Sequence, residues 1–326
     1  MSGNGPPLVA PAWWVSHLEL DWGDQAFRGL WESACEGYTL VRYDRLGVGM
    51  SDRDVPDGQL TLDAEVALLG AVLDELAFDR VVLIGGSSGG CTAIAFAARF
   101  PERVDRLLLY GAYAEGSAIT SQEVRQAIVG TVRSHWGLGS RLLADIFLGE
   151  TSSAEQERFA RYQRTASSPD IAAALLELVY RTDVREELER VCAPTLVVHR
   201  RGDRAIPYRL GRELAAAIPG AVLIPQDGSA HFPWAGDARA VAGAWRSVLA
   251  PEASARVAGE PAAVLLSRRG REVFALVARG LSDREIAEQL IVSQHTVHRH
   301  VANIRHKLGR GSRTAAVAEA ARLGLL

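Results

Sequence analysis

The chain has 326 residues, of which 48% are hydrophobic and 23% charged, with 31 Gly, 13 Pro and three cysteines; this composition excludes a wholly disordered chain, a collagen-like repeat and a disulfide scaffold. The length predicts two domains, or one large and one small. The net charge of −3 hides an asymmetry, because residues 264–326 carry 11 Lys and Arg against 5 Asp and Glu, a net of +6, while the rest is net −9.

A basic segment on an acidic body points to a nucleic-acid surface, with a solvated helical face as the plainer alternative. Cys35, Cys91 and Cys192 are scattered and odd in number, which fits a reducing cytoplasm. No Lys or Arg precedes Arg28, so the charged start of a secretory signal is not expected. Val81 to Ala98 lacks charge and approaches the length of a membrane span, but Gly85-Gly86-Ser87-Ser88-Gly89-Gly90 inside it predicts strand, turn and helix instead.

In chain order, Leu8 to Ala10, Thr39 to Tyr43, Val81 to Ile84, Leu107 to Tyr110, Thr195 to His199 and Val222 to Pro225 read as short apolar strands. Val66, Leu69, Leu73 and Leu76 form a helical stripe between two of them, and a similar amphipathic stretch follows Pro207. Strands apolar on both faces and alternating with helices predict an α/β body with a mostly parallel sheet. Residues from about 115 to 190 interrupt the alternation with polar helical sequence, including Ser121 to Val132 and Ile171 to Val179, and predict a helical cap over a site. Ala250 to Ala263, with Pro251, Gly259 and Pro261, reads as a linker, which divides the chain into a body of residues 1–250, a linker of 251–263 and a small all-α domain of 264–326.

Val81-Val82-Leu83-Ile84 running through the glycine-rich turn into helical Thr92 to Phe100 is the setting of a nucleophile elbow, where a strained serine needs small neighbours two positions away on each side. The pattern fits Ser87 between Gly85 and Gly89, and again Ser88 between Gly86 and Gly90. A glycine-rich turn without chemistry is the competing reading. With the later Pro101-Glu102-Arg103-Val104, residues 1–250 resemble the α/β-hydrolase fold family, and the resemblance selects Ser87, which stands one residue before the Gly89-Gly90 pair.

That family orders its triad serine, acid, histidine. Thr195-Leu196-Val197-Val198-His199-Arg200-Arg201-Gly202-Asp203 with Ile206-Pro207 resembles its acid turn, and Gly228-Ser229-Ala230-His231-Phe232-Pro233-Trp234 resembles its histidine loop. The resemblance therefore implies that His231 takes the proton of Ser87 while Asp203 holds the imidazole, with Asp227 the fallback acid. A serine also argues against the branches of the family that attack with a carboxylate. The oxyanion strand departs from the family's His-Gly: Ala10-Pro11-Ala12-Trp13-Trp14 stands there, leaving the backbone NH groups of Trp14 and Ser88 as donors, or two tryptophans that fill the site. The family's first two strands are expected to be missing. Arg42-Tyr43-Asp44-Arg45-Leu46-Gly47 to Arg53 resembles the family's structural loop after its fourth strand, and phosphate binding there is not expected because no P-loop lysine follows.

In the basic tail, Ser282-Asp283-Arg284-Glu285 is a capping box that starts a helix with Ile286, Ala287 and Leu290 inward. After a turn at Ile291-Val292, Ser293 caps a longer helix with the stripe Val297, Val301, Ile304 and Leu308, which makes a helix-turn-helix. Leu266-Ser267-Arg268-Arg269-Gly270-Arg271-Glu272-Val273, Val277 to Ser282, Glu285-Ile286-Ala287, Val292-Ser293, Thr296-Val297, His300-Val301, Lys307-Leu308-Gly309 and Ser312 to Leu325 together resemble the LuxR-type DNA-binding domain. Gly270 departs from it, replacing a common Glu at a cost of roughly 1 kcal/mol in helix propensity.

The resemblance implies that His298, Arg299 and Ala302 touch bases, Arg299 being able to pair bidentately with guanine, and that Thr296, Arg305 and Lys307 contact phosphates. His295 shares the outer face and His300 is expected inside; four histidines on different helix faces do not predict a metal site, and no cofactor is expected. Lys307 is the only lysine, which excludes a phospho-receiver domain. The sequence thus predicts a cytoplasmic transcriptional regulator, dimeric on double-stranded DNA, whose capped hydrolase-like body senses a small molecule. The alternative is a serine hydrolase of an ester or amide with the tail as an accessory.

Overall fold

Six runs of branched and apolar residues form β1 (Pro7–Ala10), β2 (Thr39–Arg42), β3 (Val81–Gly86), β4 (Val104–Tyr110), β5 (Thr195–Arg200) and β6 (Val222–Gln226). This is a computed structural model that describes residues 1–56, 58–249, 268–290, 292–307, 312–313 and 315–317. All six strands pair in parallel in the order β2-β1-β3-β4-β5-β6. Both β3 and β5 are buried along their whole length, as a sheet covered on both sides requires. The strand order reverses between β1 and β3, and in such sheets the crevice at the carboxyl ends of those strands is where a ligand or reacting group is placed.

One face of the sheet buries Val9, Val41, Leu83, Leu107 and Leu109 against α3 (Leu62–Glu75), α4 (Ser88–Arg99) and α9 (Tyr208–Ala217). The stripe of α3 is inward at Val66, Leu69 and Leu73, and Thr61 starts that helix by accepting from Ala64 N at 3.1 Å. The other face buries Leu8, Leu40, Val82, Ile84 and Leu108 against α2 (Gln25–Ala34) and α10 (Ala238–Leu249), whose Trp31 and Trp245 rings lie 5.4 Å apart. A short α1 (Leu18–Gly23) precedes α2, and the Asp24 carboxylate between them accepts from Ala26 N and Phe27 N.

Four helices lie between β4 and β5: α5 (Gln122–Ser134), α6 (Trp136–Leu148), α7 (Ser153–Ala166) and α8 (Pro169–Arg181). Three begin with a serine cap, at Ser121, Ser152 and Ser168, and Pro169 opens α8 where a missing N–H costs nothing.

The chain divides into two compact units, Met1–Ala250 and Pro251–Leu326. In the second, α11 (Arg268–Ala278), α12 (Asp283–Leu290) and α13 (Gln294–Lys307) close on Val273, Phe274, Val277, Ile286, Val297, Val301, Ile304 and Ala316. Ser282 and Glu285 form the reciprocal cap of α12, with Ser282 N donating to Glu285 Oε2 at 2.7 Å and Glu285 N donating to Ser282 Oγ at 3.3 Å. The expected linker at 251–263, Ile291 and Leu308 lie outside the described residues. No helix among the described residues is long and apolar enough to cross a membrane.

Candidate functional site

At the end of β3 the chain turns through Ser87, whose φ of +51° and ψ of −126° are strained for a residue with a side chain, and α4 starts at Ser88. Of the two registers open in the sequence, the strained position is Ser87. The turn closes only because its flanks are glycine: a Cβ on Gly85 would stand 2.7 Å from Gly90 Cα, and one on Gly89 2.9 Å from the Ala12 carbonyl oxygen. The second contact also shows that the chain leaving β1 lies against the first turn of α4.

Asp203 follows β5 and is buried with both oxygens engaged. Its Oδ1 accepts from Ala205 N at 2.9 Å and Ile206 N at 3.0 Å, and its Oδ2 lies 2.8 Å from His231 Nδ1. A carboxylate in that position places the proton of His231 on Nδ1 and leaves Nε2 as the free base. Nε2 is buried without a hydrogen-bond partner among the described residues, and Ser87 is 9% exposed. A second histidine, His199, sits 3.7 Å from Asp203 Oδ2, but burial lowers its pKa, and its Nε2 is 2.9 Å from the Ile206 carbonyl. It is therefore neutral, with Nε2–H donating, and brings no charge to Asp203.

Three residues that the sequence reading did not single out hold this pair. Gly111, at φ +53°, comes so close that a Cβ there would meet His231 Cε1 at 3.1 Å. Arg200 is 1% exposed and donates to the carbonyl oxygens of Ala230 at 2.8 Å, Phe232 at 2.9 Å and Ala235 at 2.5 Å, bracing the loop on both sides of His231. Phe147 O accepts from His231 N at 2.7 Å, and the Phe147 ring lies 5.7 Å from the imidazole. For Gly111 and Arg200 a signal existed, namely a Gly just past β4 and an Arg ending a strand with the apolar centre Leu196-Val197-Val198; Phe147 had none.

Trp13 and Trp14 point to opposite faces of the sheet. Trp14 packs toward the four-helix insertion, with Nε1 donating to Ala172 O at 3.2 Å and its ring 5.6 Å from Phe147. Trp13 packs with Tyr110, Phe232 and Trp234 on the other side. There a cavity of about 1080 Å³ opens between β1, α1, α2 and α7, and none of Ser87, Ser88, Asp203, His231 or Trp14 lines it. The expectation of a ligand space beneath the insertion thus meets a cavity walled in part by α7 but set apart from the serine. Asp227, the fallback acid, is on its exposed rim, 3.7 Å from Arg201 Nε.

Buried charge organises the same region. Asp44 accepts from Ser16 Oγ, Leu18 N and Met50 N, and Arg45 donates to the Ala12 carbonyl at 2.8 Å, so the loop after β2 fixes the chain leaving β1. Asp21 accepts from Tyr162 Oη at 2.6 Å and Arg42 Nη1 at 3.1 Å, yet burial outweighs both partners and pushes its pKa up to about 6.

In the second unit, His298 is exposed on α13 with Nδ1 3.5 Å from Asp283 Oδ2, Ala302 is exposed, and Arg305 is half-buried. Asp283 also accepts from Arg313, which ties the start of α12 to the segment after α13. Thr296, Arg299 and Lys307 fall on α13 as well, but their side chains, like those of His295 and His300, lie outside the described residues. Among the described residues no group of three or more His, Cys, Asp and Glu is placed to hold a metal ion.

Residues 17–236 match the α/β hydrolase fold family, and residues 264–320 match the luxR family of bacterial regulatory proteins. The chain belongs to the α/β-hydrolase fold family and carries, after that fold, a LuxR-type regulatory domain. A 2-hydroxy-6-oxononadienedioate/2-hydroxy-6-oxononatrienedioate hydrolase of Cupriavidus pinatubonensis is 30% identical over 196 residues, which are 57% of this chain and 68% of that relative. Among solved structures, an esterase from Exiguobacterium antarcticum superposes with a TM-score of 0.67 at 20% identity, covering 76% of this chain and 93% of that one. A meta-cleavage product hydrolase from Pseudomonas fluorescens gives 0.61 at 24% identity, covering 76% and 92%.

Proposed function

We propose that this protein is a DNA-binding transcriptional regulator whose hydrolase-fold unit senses a small molecule. The observation that carries the reading is the LuxR-type match over 264–320 on a capped helix-turn-helix, α12 and α13. In this reading α13 enters the major groove, with His298, Arg299 and Ala302 at base edges and Thr296, Arg305 and Lys307 on phosphates. The protein works in the cytoplasm as a homodimer on a two-fold operator, and a ligand shifts its DNA affinity by binding one conformation better than the other.

A sensing rather than catalytic body is favoured by the surroundings of His231. Nε2 makes no hydrogen bond to Ser87 or to any other group among the described residues, and Phe147 packs beside the ring. The second reading, a serine hydrolase, rests on the 2.8 Å Asp203–His231 contact and the strained φ of Ser87. There Ser87 Oγ attacks a carbonyl carbon as its proton passes to His231 Nε2, Asp203 stabilises the imidazolium, and the Trp14 and Ser88 amides receive the oxyanion. The 30% identical relative is a hydrolase of a dioate, a dianion, whereas acidic side chains predominate around the cavity of this chain.

The test is genome-wide mapping of bound sites, followed by gel-shift titration of the full-length protein on the recovered DNA. Affinity should fall steeply with salt, and Arg299→Ala should weaken binding by about 1 to 3 kcal/mol and relax preference at one base pair. Binding without sequence preference, or indifferent to Arg299→Ala, would overturn the reading.

A further inference from the structure

We infer that the cavity between β1, α1, α2 and α7 is a binding site for an organic cation carrying an apolar or aromatic arm, separate from Ser87. Its use as the sensing site rests on the regulatory reading above; its ligand chemistry does not.

The walls are aromatic, with rings at contact distance from one another. Trp234 lies 5.2 Å from Trp13, 4.7 Å from Phe232 and 4.6 Å from Phe27, and Phe159 lies 5.1 Å from Phe232. All five residues line a space of about 1080 Å³, ample for a drug-sized molecule. The protein already places a cation on this surface: the Arg42 guanidinium sits 4.6 Å from the Phe27 ring centroid.

The charge around the cavity has one sign in excess. Eight carboxylates line it, Glu19, Asp21, Asp24, Asp44, Glu150, Glu155, Asp227 and Asp237, against the four guanidiniums of Arg42, Arg158, Arg161 and Arg200. Arg42 is committed to Asp21 and Arg200 to three backbone carbonyls, while Asp24 caps α2 and Asp44 accepts three hydrogen bonds, which leaves exposed Arg158 and Arg161 facing a larger number of exposed carboxylates. Glu19, Glu150, Glu155, Asp227 and Asp237 are exposed and set the potential at the mouth. Such a mouth concentrates cations and repels carboxylates and phosphates. Inside, rings stabilise a weakly hydrated ammonium through their quadrupoles without a buried counterion. The nucleophile turn contributes nothing to the lining, so neither binding nor release requires an acyl transfer.

Three probes with the same arm and different heads decide the matter: phenylbutyltrimethylammonium, whose quaternary head is weakly hydrated, phenylbutanol and phenylbutyrate, titrated calorimetrically into the full-length protein. The ammonium should bind about tenfold more tightly than the alcohol, and the butyrate least. Trp234→Leu should weaken the ammonium by about tenfold and the alcohol less, whereas Leu138→Ser, an exposed change outside the cavity, should alter neither. Should Trp234→Leu fail to fold, the exposed pair Glu19→Gln with Asp237→Asn should weaken the ammonium while leaving the alcohol unchanged. Preference for the butyrate, or ammonium binding unmoved by Trp234→Leu in folded protein and by the paired change, would overturn the proposal. Ammonium binding that leaves operator affinity unchanged would support the site and refute its use in sensing.

Discussion

Arg200→Met is the substitution with the most to say about how the histidine loop is held. The guanidinium ends β5 inside the protein, 1% exposed, with three carbonyl acceptors at 2.8, 2.9 and 2.5 Å and the Tyr110 ring 5.9 Å away. No carboxylate among the described residues pairs with it. Each hydrogen bond from a charged donor contributes about 1.5 to 3 kcal/mol, and three together exceed the several kcal/mol that burying one cation costs. Methionine fills similar volume but leaves the Ala230, Phe232 and Ala235 carbonyls without that donor. The net loss should be about 3 to 5 kcal/mol, because the loop recovers part of it by moving toward water. At about 2 to 4 °C per kcal/mol for a unit of this size, the first melting transition should fall by about 10 °C. Scanning calorimetry on the full-length chain reads that shift, and Arg200→Lys should remain well below wild type because one ammonium cannot span three acceptors. A melting temperature for Arg200→Met within about 1 °C of wild type would refute the reasoning and mean that aromatic packing alone holds the loop.

Under the hydrolase reading a fluorophosphonate labels Ser87, so Ser87→Ala should abolish labelling while Ser88→Ala leaves much of it, read by mass spectrometry of the labelled peptide; labelling confined to Ser88 would reverse the assignment, and no labelling of the folded wild type would refute the hydrolase reading. Gly111→Ala puts a methyl 3.1 Å from His231 Cε1 at a positive φ, and should cost about 1 to 3 kcal/mol in a urea melt and slow any labelling of Ser87. Asp21 has a folded pKa of about 6, above its ordinary 3.8, because of burial. The native state therefore holds the proton more tightly, and this contribution to stability, complete below the lower value, is lost as pH rises through about 6. Across that window the loss should approach about 3 kcal/mol, and in Asp21→Asn the stability at neutral pH relative to low pH, read by urea melts, should rise by that amount.

Much of this protein was legible without a structure, since its signals are local. A strand needs only a short apolar run, an elbow only small residues around a serine, and a capped helix only Ser282 and Glu285 three positions apart. Hence all six strands and the inward faces of α3, α12 and α13 follow from spacing, whereas spacing left the elbow open between Ser87 and Ser88 and only the family resemblance chose Ser87, the residue the fold holds at positive φ. The LuxR-type segment was equally plain, because its turns and stripe are contiguous. The short α1 was not anticipated, and α7 was covered only as part of the polar helical stretch of about 115 to 190, having too few inward apolar positions for periodicity to mark it individually.

Tertiary structure alone decided where the buried charges and the space went. Trp13 and Trp14 are neighbours in sequence, but side chains alternate along an extended chain, so one walls the cavity and the other packs against Ala172, which is 158 positions away. An arginine ending a strand ordinarily reaches water; Arg200 stays inside because the loop after β6 folds three carbonyl oxygens around it. Asp21 is likewise an unremarked helix residue until Tyr162 of α7 and Arg42 of β2 close over it. Propensity and turn chemistry act over a few residues and can be read in order. Desolvation and cavity shape depend on which distant segments meet, and only the folded chain settles that.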